Sequence, residues 1–442
     1  MQAASNRRNS ELSLLIIAFI ICSGALALVA LARNPEKVGI AVPLMVIVIA
    51  AYVAAHFVVR KKATQADPVI LPVTATLNAL GLAAIFRLSP KELGPTQVTW
   101  TAVGIAFFIA TLWFVKDYRR LASYKYIFGF AGVALLLLPV TPLGTTINGA
   151  RLWLRVGAFT FQPGEISKIC LVIFFAAYLA ERKELLSIAS RKVLWFHMPD
   201  IKHFGPLLVM WGVSLAVMFF EKDLGSSLLF FAIFLVMIYI ATARLVYMLL
   251  GFGLFAVGAY IGYQTFSHVQ VRVSTWLSVF DPKFIADEGY QLAQSLFALS
   301  TGGLFGTGFG QGRPDLIPAA STDFIFSALG EELGLLGTAA VLVGFMLLVA
   351  RGLRVAVQSR DDFGQLLGSG LTVILGLQTI IILGGVTRLL PLTGITLPFM
   401  SYGGSSMLSN FILIGLLIRI SHQTTDEPAP AMTSEILIGG RR

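Results

Sequence analysis

The stretch Thr322-Asp323-Phe324-Ile325-Phe326-Ser327-Ala328-Leu329-Gly330-Glu331-Glu332-Leu333-Gly334, continuing through residues 335–350 as LLGTAAVLVGFMLLVA, decides how this chain is read. The run is long and apolar enough to cross a bilayer, yet it opens on a carboxylate and carries two more inside. A polar, glycine-rich segment, residues 267–322, hands over to it at Asp323. Working outward, apolar windows of membrane length recur near 12–32, 38–59, 68–87, 97–115, 126–143, 166–180, 205–220, 225–242, 245–265, 323–350, 365–386 and 404–420. Their lengths scatter about the roughly 20 residues that cross about 30 Å of hydrocarbon. With 56% apolar and 13% charged residues over 442 positions, and a mean hydropathy of +0.81, the chain is an all-α, polytopic integral membrane protein with about twelve spans.

Basic residues set the orientation. With the N-terminus inside, twenty-one Lys and Arg fall in inward segments and eleven in outward ones, Lys168 being left at a helix start. The inward groups include Arg7-Arg8, Arg60-Lys61-Lys62, Lys116 with Arg119 and Arg120, and the residues from Arg182 to Lys202, so both termini are expected in the cytoplasm. The net charge of +10 therefore reflects topology and not nucleic-acid binding. Arg7-Arg8 followed by Ala25-Leu26-Ala27 has elements of a signal peptide, but the apolar run continues past that point and reads as a retained anchor. Cys22 and Cys170 fall inside predicted spans and read as inert packing, and the five histidines show no metal-ligand spacing. Gly306, Gly308, Gly310 and Gly312 alternate without a βαβ context, so nothing supports ATP-driven transport.

Sorted by side, the ionisable and polar groups near span ends gather outward. Glu165 and Lys168 open the sixth span, Asp223 lies between the seventh and eighth, Asp323 opens the tenth, Arg388 closes the eleventh, and Ser401-Tyr402 precede the twelfth. Each also has a local reading: Glu165 and Lys168 as an i,i+3 helix pair, Asp223 and Asp323 as N-caps, Arg388 as a snorkelling side chain. Taken together they describe one outward-facing site, since ionisable groups at membrane depth are costly without a partner or a water-filled cavity. Glu331 and Glu332, about 12 Å along a straight helix from Asp323, are either protonated and hydrogen-bonded to other helices or line a polar cavity. The large outward loop 266–322 is expected to hold a short amphipathic helix over 290–299, followed by glycines from Gly302 to Gly312 that permit tight turns and close backbone approach.

Several ordered segments carry a family resemblance. Asn148-Gly149-Ala150-Arg151-Leu152-Trp153 leads to Phe161-Gln162-Pro163-Gly164-Glu165-Ile166-Ser167-Lys168. Then come Glu221-Lys222-Asp223-Leu224-Gly225, Gly289-Tyr290-Gln291, the quoted Asp323 stretch, and Leu397-Pro398-Phe399-Met400-Ser401-Tyr402-Gly403-Gly404-Ser405. Over about residues 66–422 the chain resembles the SEDS proteins (shape, elongation, division and sporulation; RodA and FtsW), which polymerise peptidoglycan glycan strands from lipid II. Two departures stand out. The family usually has Glu-His where this chain has Ala320-Ser321, and usually ten spans, to which this chain adds two. The addition looks like the actinobacterial RodA branch, and divides the chain into an extra two-helix segment (1–65), a polymerase core (66–422) and a polar cytoplasmic tail (423–442).

The resemblance implies a bacterial plasma-membrane peptidoglycan glycosyltransferase acting at the outer face for cell elongation and shape. It joins the 4-hydroxyl of one lipid-linked sugar to C1 of another, with inversion and release of undecaprenyl pyrophosphate. Asp323 matches the family's essential aspartate and takes the role of general base; a prenyl-lined cavity would raise its pKa above the usual 3.9 or so. Lys168, Arg388 and Arg151 or Arg155 are implied ligands of the leaving diphosphate, with Glu165, Asp223, Ser401 and Tyr402 also in the substrate site. Glu165 is in addition the carboxylate expected to hold a divalent cation, Mg or Mn. The implied partners are lipid II, the nascent glycan strand, membrane lipids and a class B penicillin-binding protein transpeptidase, with no nucleic acid. Two other readings remain at this level, a lipid II flippase and an FtsW-type division polymerase; a flippase would spread ionisable groups through both leaflets and show an internal repeat.

Overall fold

A computed structural model describes residues 2–33, 38–147, 150–157, 159–187, 191–193, 196–198, 212, 223–285, 287 and 289–426. The predicted span 205–220 apart from residue 212, the motif residues Asn148-Gly149 and Glu221-Lys222, the parts 188–190, 194–195 and 199–204 of the loop 181–204, and the tail beyond 426 lie outside these residues.

Long apolar runs have no water to bond their backbones in a membrane, so they close their hydrogen bonds internally as helices. Four long helices come first: α1 (Gln2–Arg33), α2 (Val38–Lys62), α3 (Ile70–Leu88) and α4 (Leu93–Phe114). After the short α5 (Arg120–Ser123) and α6 (Lys125–Leu137), a three-stranded antiparallel sheet is formed by β1 (Gly144–Ile147), β2 (Ala150–Val156) and β3 (Phe159–Phe161). This sheet is an addition to the all-helical expectation. Its cause is visible in Arg151-Leu152-Trp153-Leu154-Arg155, where the two arginines are exposed and the residues between them half-buried.

The second half begins with α7 (Gly164–Ser187), followed by a small hairpin of β4 (Arg191–Val193) and β5 (Phe196–Met198). Then come α8 (Leu224–Thr242) and α9 (Leu245–Thr265). The outward loop contributes α10 (Ser267–Leu277) and α11 (Tyr290–Gly302), the latter where an amphipathic helix is expected. The chain finishes with α12 (Ile325–Gln358), α13 (Asp362–Val386) and α14 (Gly404–Asp426). Among the described residues nine helices are long and apolar enough to cross a membrane, and two more predicted windows fall on α6 and α7.

The core is built by α3, α7, α13 and α14, whose faces are largely enclosed by other helices. α14 packs on α4, α13 lies between α7, α8 and α12, and α3 is flanked by α1 and α12. By contrast α9 leaves Leu249, Phe252, Leu254 and Tyr260 exposed, a surface suited to lipid. Cys22 and Cys170 are buried and free.

One departure bears on the site. α12 is not straight: Gly334 sits at φ 67°, ψ −167°, breaking the helix into a short limb that starts at Ile325 and a long one that follows. The glycine-rich loop docks on this break, the Thr307 and Gly308 amides donating to the Glu331 and Glu332 carbonyls at 2.9 and 3.1 Å. The Glu331 and Glu332 side chains are taken up in the same joint. Glu332 accepts from Arg87 Nε and from the Gly310 amide, both at 3.0 Å, and Glu331 from the Arg313 amide at 2.7 Å.

Candidate functional site

The connector between α13 and α14, residues 387–403, has no regular secondary structure and is the hub on which the outward groups converge. Proline, glycine and threonine in Pro391-Leu392-Thr393-Gly394-Ile395-Thr396-Leu397-Pro398 deny it a helix. Its backbone groups bond to side chains of several helices instead.

Asp323 ends the turn ahead of α12 and is half-buried. Its carboxylate lies against the connector: a Cβ at Gly394 would stand 3.7 Å from Asp323 Oδ2. The backbone before it is clasped. Ser401 Oγ donates to the Thr322 carbonyl at 2.5 Å, and the Tyr402 amide donates to the Ser321 carbonyl at 2.7 Å. Ser401 Oγ also accepts from the Leu397 amide at 2.9 Å, and Gln97 Nε2 donates to the Ser401 carbonyl at 3.1 Å, tying the clasp to α4. Asn78 on α3 donates to the carbonyl of Phe399 at 3.1 Å.

Burial lifts the Asp323 carboxyl from its ordinary value near 3.8 to about 6; a hydrogen bond from Thr322 and the nearby Arg272 guanidinium pull the other way without cancelling it. Arg272, on α10, is a site residue that sequence reasoning passed over. Its Nη1 donates to the Leu392 and Thr393 carbonyls at 3.3 and 3.2 Å, which places the cation at the connector beside Gly394. The only signal in the sequence is that it is one basic residue among those of the outward loop.

The other expected residues distribute around the hub. Asp223 caps α8, accepting from the Ser226 amide at 3.0 Å, and that helix start packs on the connector, since a Cβ at Gly225 would stand 2.7 Å from the Thr393 carbonyl oxygen. Glu165 and Lys168 form a buried ion pair one helical turn apart on α7, 2.9 Å between Oε2 and Nζ, and Ser409 Oγ donates to the same oxygen at 2.9 Å. The chain leading into α7 meets the start of α14, where the Gln162 amide donates to Ser405 Oγ at 2.7 Å. A carboxylate already neutralised by an ammonium in contact is a poor ligand for a hard cation, so the donor set at Glu165 does not fit Mg or Mn.

Arg388, at φ 62°, fastens the end of α10: Nε and Nη2 donate to the Trp276 and Leu277 carbonyls at 2.8 and 2.6 Å, and the guanidinium lies 5.8 Å from the Phe280 ring centre. With Leu296 and Thr387 these residues line a groove of about 550 Å³. Arg151 lies farther out, exposed on β2, with Nη2 donating to the Thr141 carbonyl at 2.8 Å. The arrangement offers a half-buried base of raised pKa on a clasped backbone, a cation beside it, and an arginine-edged, mostly apolar groove.

Comparison with known proteins gives a consistent result. A family model covering FtsW, RodA and SpoVE, described as cell cycle protein, matches residues 69–426. The chain is 46% identical over 428 residues to the peptidoglycan glycosyltransferase RodA of Mycobacterium tuberculosis H37Rv, covering 94% of this chain and 91% of that protein. It is 30% identical over 376 residues to the stage V sporulation protein E of Bacillus subtilis, covering 81% and 98%. Among solved structures, a chain from work on structural coordination of polymerization and crosslinking by a peptidoglycan synthase complex superposes with a TM-score of 0.68 at 25% identity, covering 82% of this chain and 99% of that one. A Thermus thermophilus RodA crystal structure shares the fold at a TM-score of 0.57 and 24% identity, covering 82% and 98%.

Proposed function

The chain belongs to the FtsW/RodA/SpoVE family, and from that premise we propose how its site carries out glycan polymerisation. It is an integral membrane protein of bacteria and a peptidoglycan glycosyltransferase. Its substrate is lipid II, and the reaction proceeds at the outer face of the plasma membrane with both termini in the cytoplasm. The excess of inward Lys and Arg supports that orientation.

Asp323 accepts the proton of the sugar 4-hydroxyl as that oxygen bonds to C1 of the second substrate and the C1–oxygen bond to undecaprenyl pyrophosphate breaks. The half-buried carboxyl with its pKa near 6 carries this reading: it is ionised at neutral pH yet more basic than an exposed aspartate. Ser401 and Tyr402 position the base through the Thr322 and Ser321 carbonyls, and do not act on the sugar. Arg272 and Arg388 face the departing diphosphate, and the groove beside Phe280 and Leu296 takes a prenyl chain. The Glu165–Lys168 pair holds α7 to α14 beneath the site, and no step requires a cation there. A class B penicillin-binding protein transpeptidase crosslinks the product strands, and the likeness to a chain of a polymerising and crosslinking complex supports that pairing.

Purified protein given lipid II in detergent is expected to make long glycan strands, and Asp323→Asn to make none above background. Strand synthesis unaffected by that substitution would overturn the assignment. Lipid movement in vesicles without polymer would favour a carrier.

A further inference from the structure

The helix ends farthest from Asp323 enclose a second polar cavity. α12 and α14 both start beside Asp323, and their last turns, with the α2–α3 link and the beginning of α1, surround a pocket of about 470 Å³. Four arginines line it, Arg7, Arg351, Arg354 and Arg360, against one carboxylate, Asp67. Its walls are fastened. Arg7 Nη1 donates to the Gln65 carbonyl at 2.8 Å, the Asp67 amide to Ser421 Oγ at 2.9 Å, and Arg351 Nη1 lies 3.4 Å from Asp67 Oδ2.

A positive-inside bias alone explains arginines at these helix ends. It does not explain one further observation. Thr424, 8% exposed, lines the same pocket and its hydroxyl has no hydrogen-bond partner among the described residues. A buried hydroxyl left unpaired is costly and calls for an occupant that can bond to it. Arg354, exposed at the mouth of the pocket, makes no hydrogen bond or ion pair among the described residues and is available to such an occupant. A net positive cavity holding an orphaned hydroxyl matches the charge and acceptor oxygens of a phosphate.

We propose that this pocket is an anion site that binds a phosphate group on the membrane face opposite Asp323. The phosphate is supplied either by the headgroup of an anionic phospholipid in the adjoining leaflet or by free phosphate, and basic pockets between membrane helices take such headgroups readily. The site is separate from the polymerising site and rests on no property of it.

The test uses the full chain in detergent, equilibrated with phosphatidylglycerol or phosphatidylcholine and examined by native mass spectrometry, alongside calorimetric titration with inorganic phosphate. Preferential retention of phosphatidylglycerol, weakened about fivefold for each arginine removed in Arg354→Gln and Arg354→Gln/Arg360→Gln, identifies a lipid headgroup. Saturable heat with phosphate that these variants lose, without lipid preference, identifies free phosphate. Thr424→Val keeps the charge and nearly the volume but removes the hydroxyl, so weaker binding there marks a built site and not diffuse attraction. Lys61→Gln, an exposed basic residue outside the pocket, is expected to bind as the parent does. No binding by the parent in either arm, or binding unchanged in Arg354→Gln and Thr424→Val, overturns the proposal.

Discussion

Asp323 works against its own charge, and that gives its activity a pH signature. With the carboxyl near 6, the acceptor form dominates at neutral pH and is lost as pH falls through 6. The acid limb of kcat/KM should therefore be half-maximal near pH 6 and drop about tenfold per unit below it, whereas an unperturbed aspartate would place it near 4. Because the folded pKa lies above the unfolded one, the folded state binds more protons between about 4 and 6, and stability declines as pH rises across that window. Asp323→Asn lacks this decline: it should melt higher than the parent at pH 7.5 and alongside it at pH 4, while losing about 10²- to 10⁴-fold in rate. A variant that melts lower at pH 7.5 would mean the carboxylate is held by partners and not merely tolerated. Arg272 lowers the Asp323 pKa, so Arg272→Gln should move the acid limb to higher pH. If the limb stays put and only the plateau falls, Arg272 is a clasp on Leu392 and Thr393 and nothing more.

At the scale of elements, the broken helix α12 ranks first. The sequence reads residues 323–350 as one continuous span because a glycine inside an apolar run costs only about 1 kcal/mol. What breaks the helix at Gly334 is a loop some thirty residues away in sequence, whose amides take the carbonyls that an unbroken helix would use. No local pattern carries that information, although the glycines of the loop signal close approach. A side chain at Gly334 would meet the Gly306 nitrogen at 2.2 Å in a backbone conformation that disfavours it, so Gly334→Ala should cost on the order of 3 kcal/mol and release the loop. Gly253→Ala, on α9 with nothing within 4 Å, serves as the neutral control in detergent melts. Glu332 belongs to the same joint. Arg87→Gln leaves that carboxylate buried without its cation, a loss of about 3–5 kcal/mol, and Arg87→Gln/Glu332→Gln should recover much of it. A double variant as unstable as the sum of the singles would show that the two residues serve the joint separately.

Across the whole molecule, what was legible in the sequence followed hydrophobic length, and what was not followed contacts between distant segments. Apolar windows located the spans because lipid permits few other arrangements. The family motifs located Asp323, yet the convergence of Asp323, Arg272 and Asp223 on one irregular connector, which itself carries Ser401 and Tyr402, depends on how α8, α10 and α12 pack, which no window reports. The role of the N-terminal pair is the clearest such case. α1 and α2 meet α3 partly through a small apolar seam, Cys22, Leu26, Val29 and Ala41 against Ala79, Ala83 and Phe86, and also send Leu15, Ala18, Val48, Ala55 and Val59 into the central core. Among the polar links, which include Arg7 to the Gln65 carbonyl and Arg419 to the Lys62 carbonyl, one leads toward the site: Tyr52 donates to Asn78 Oδ1 at 3.3 Å, and Asn78 in turn holds the Phe399 carbonyl two residues before Ser401. A chain beginning at residue 63 should therefore insert and still make strands, with a lower melting temperature and a slower rate, because Asn78 keeps Phe399 but loses its own support. Tyr52→Phe should reproduce a part of that loss, about 1 kcal/mol, without touching the seam. If the shortened chain matches the parent in both measurements, the added helices support nothing in the core and recruitment is left to explain them. If it fails to fold, the boundary near residue 65 is not a domain boundary, and α1 and α2 are as much part of the polymerase as α3.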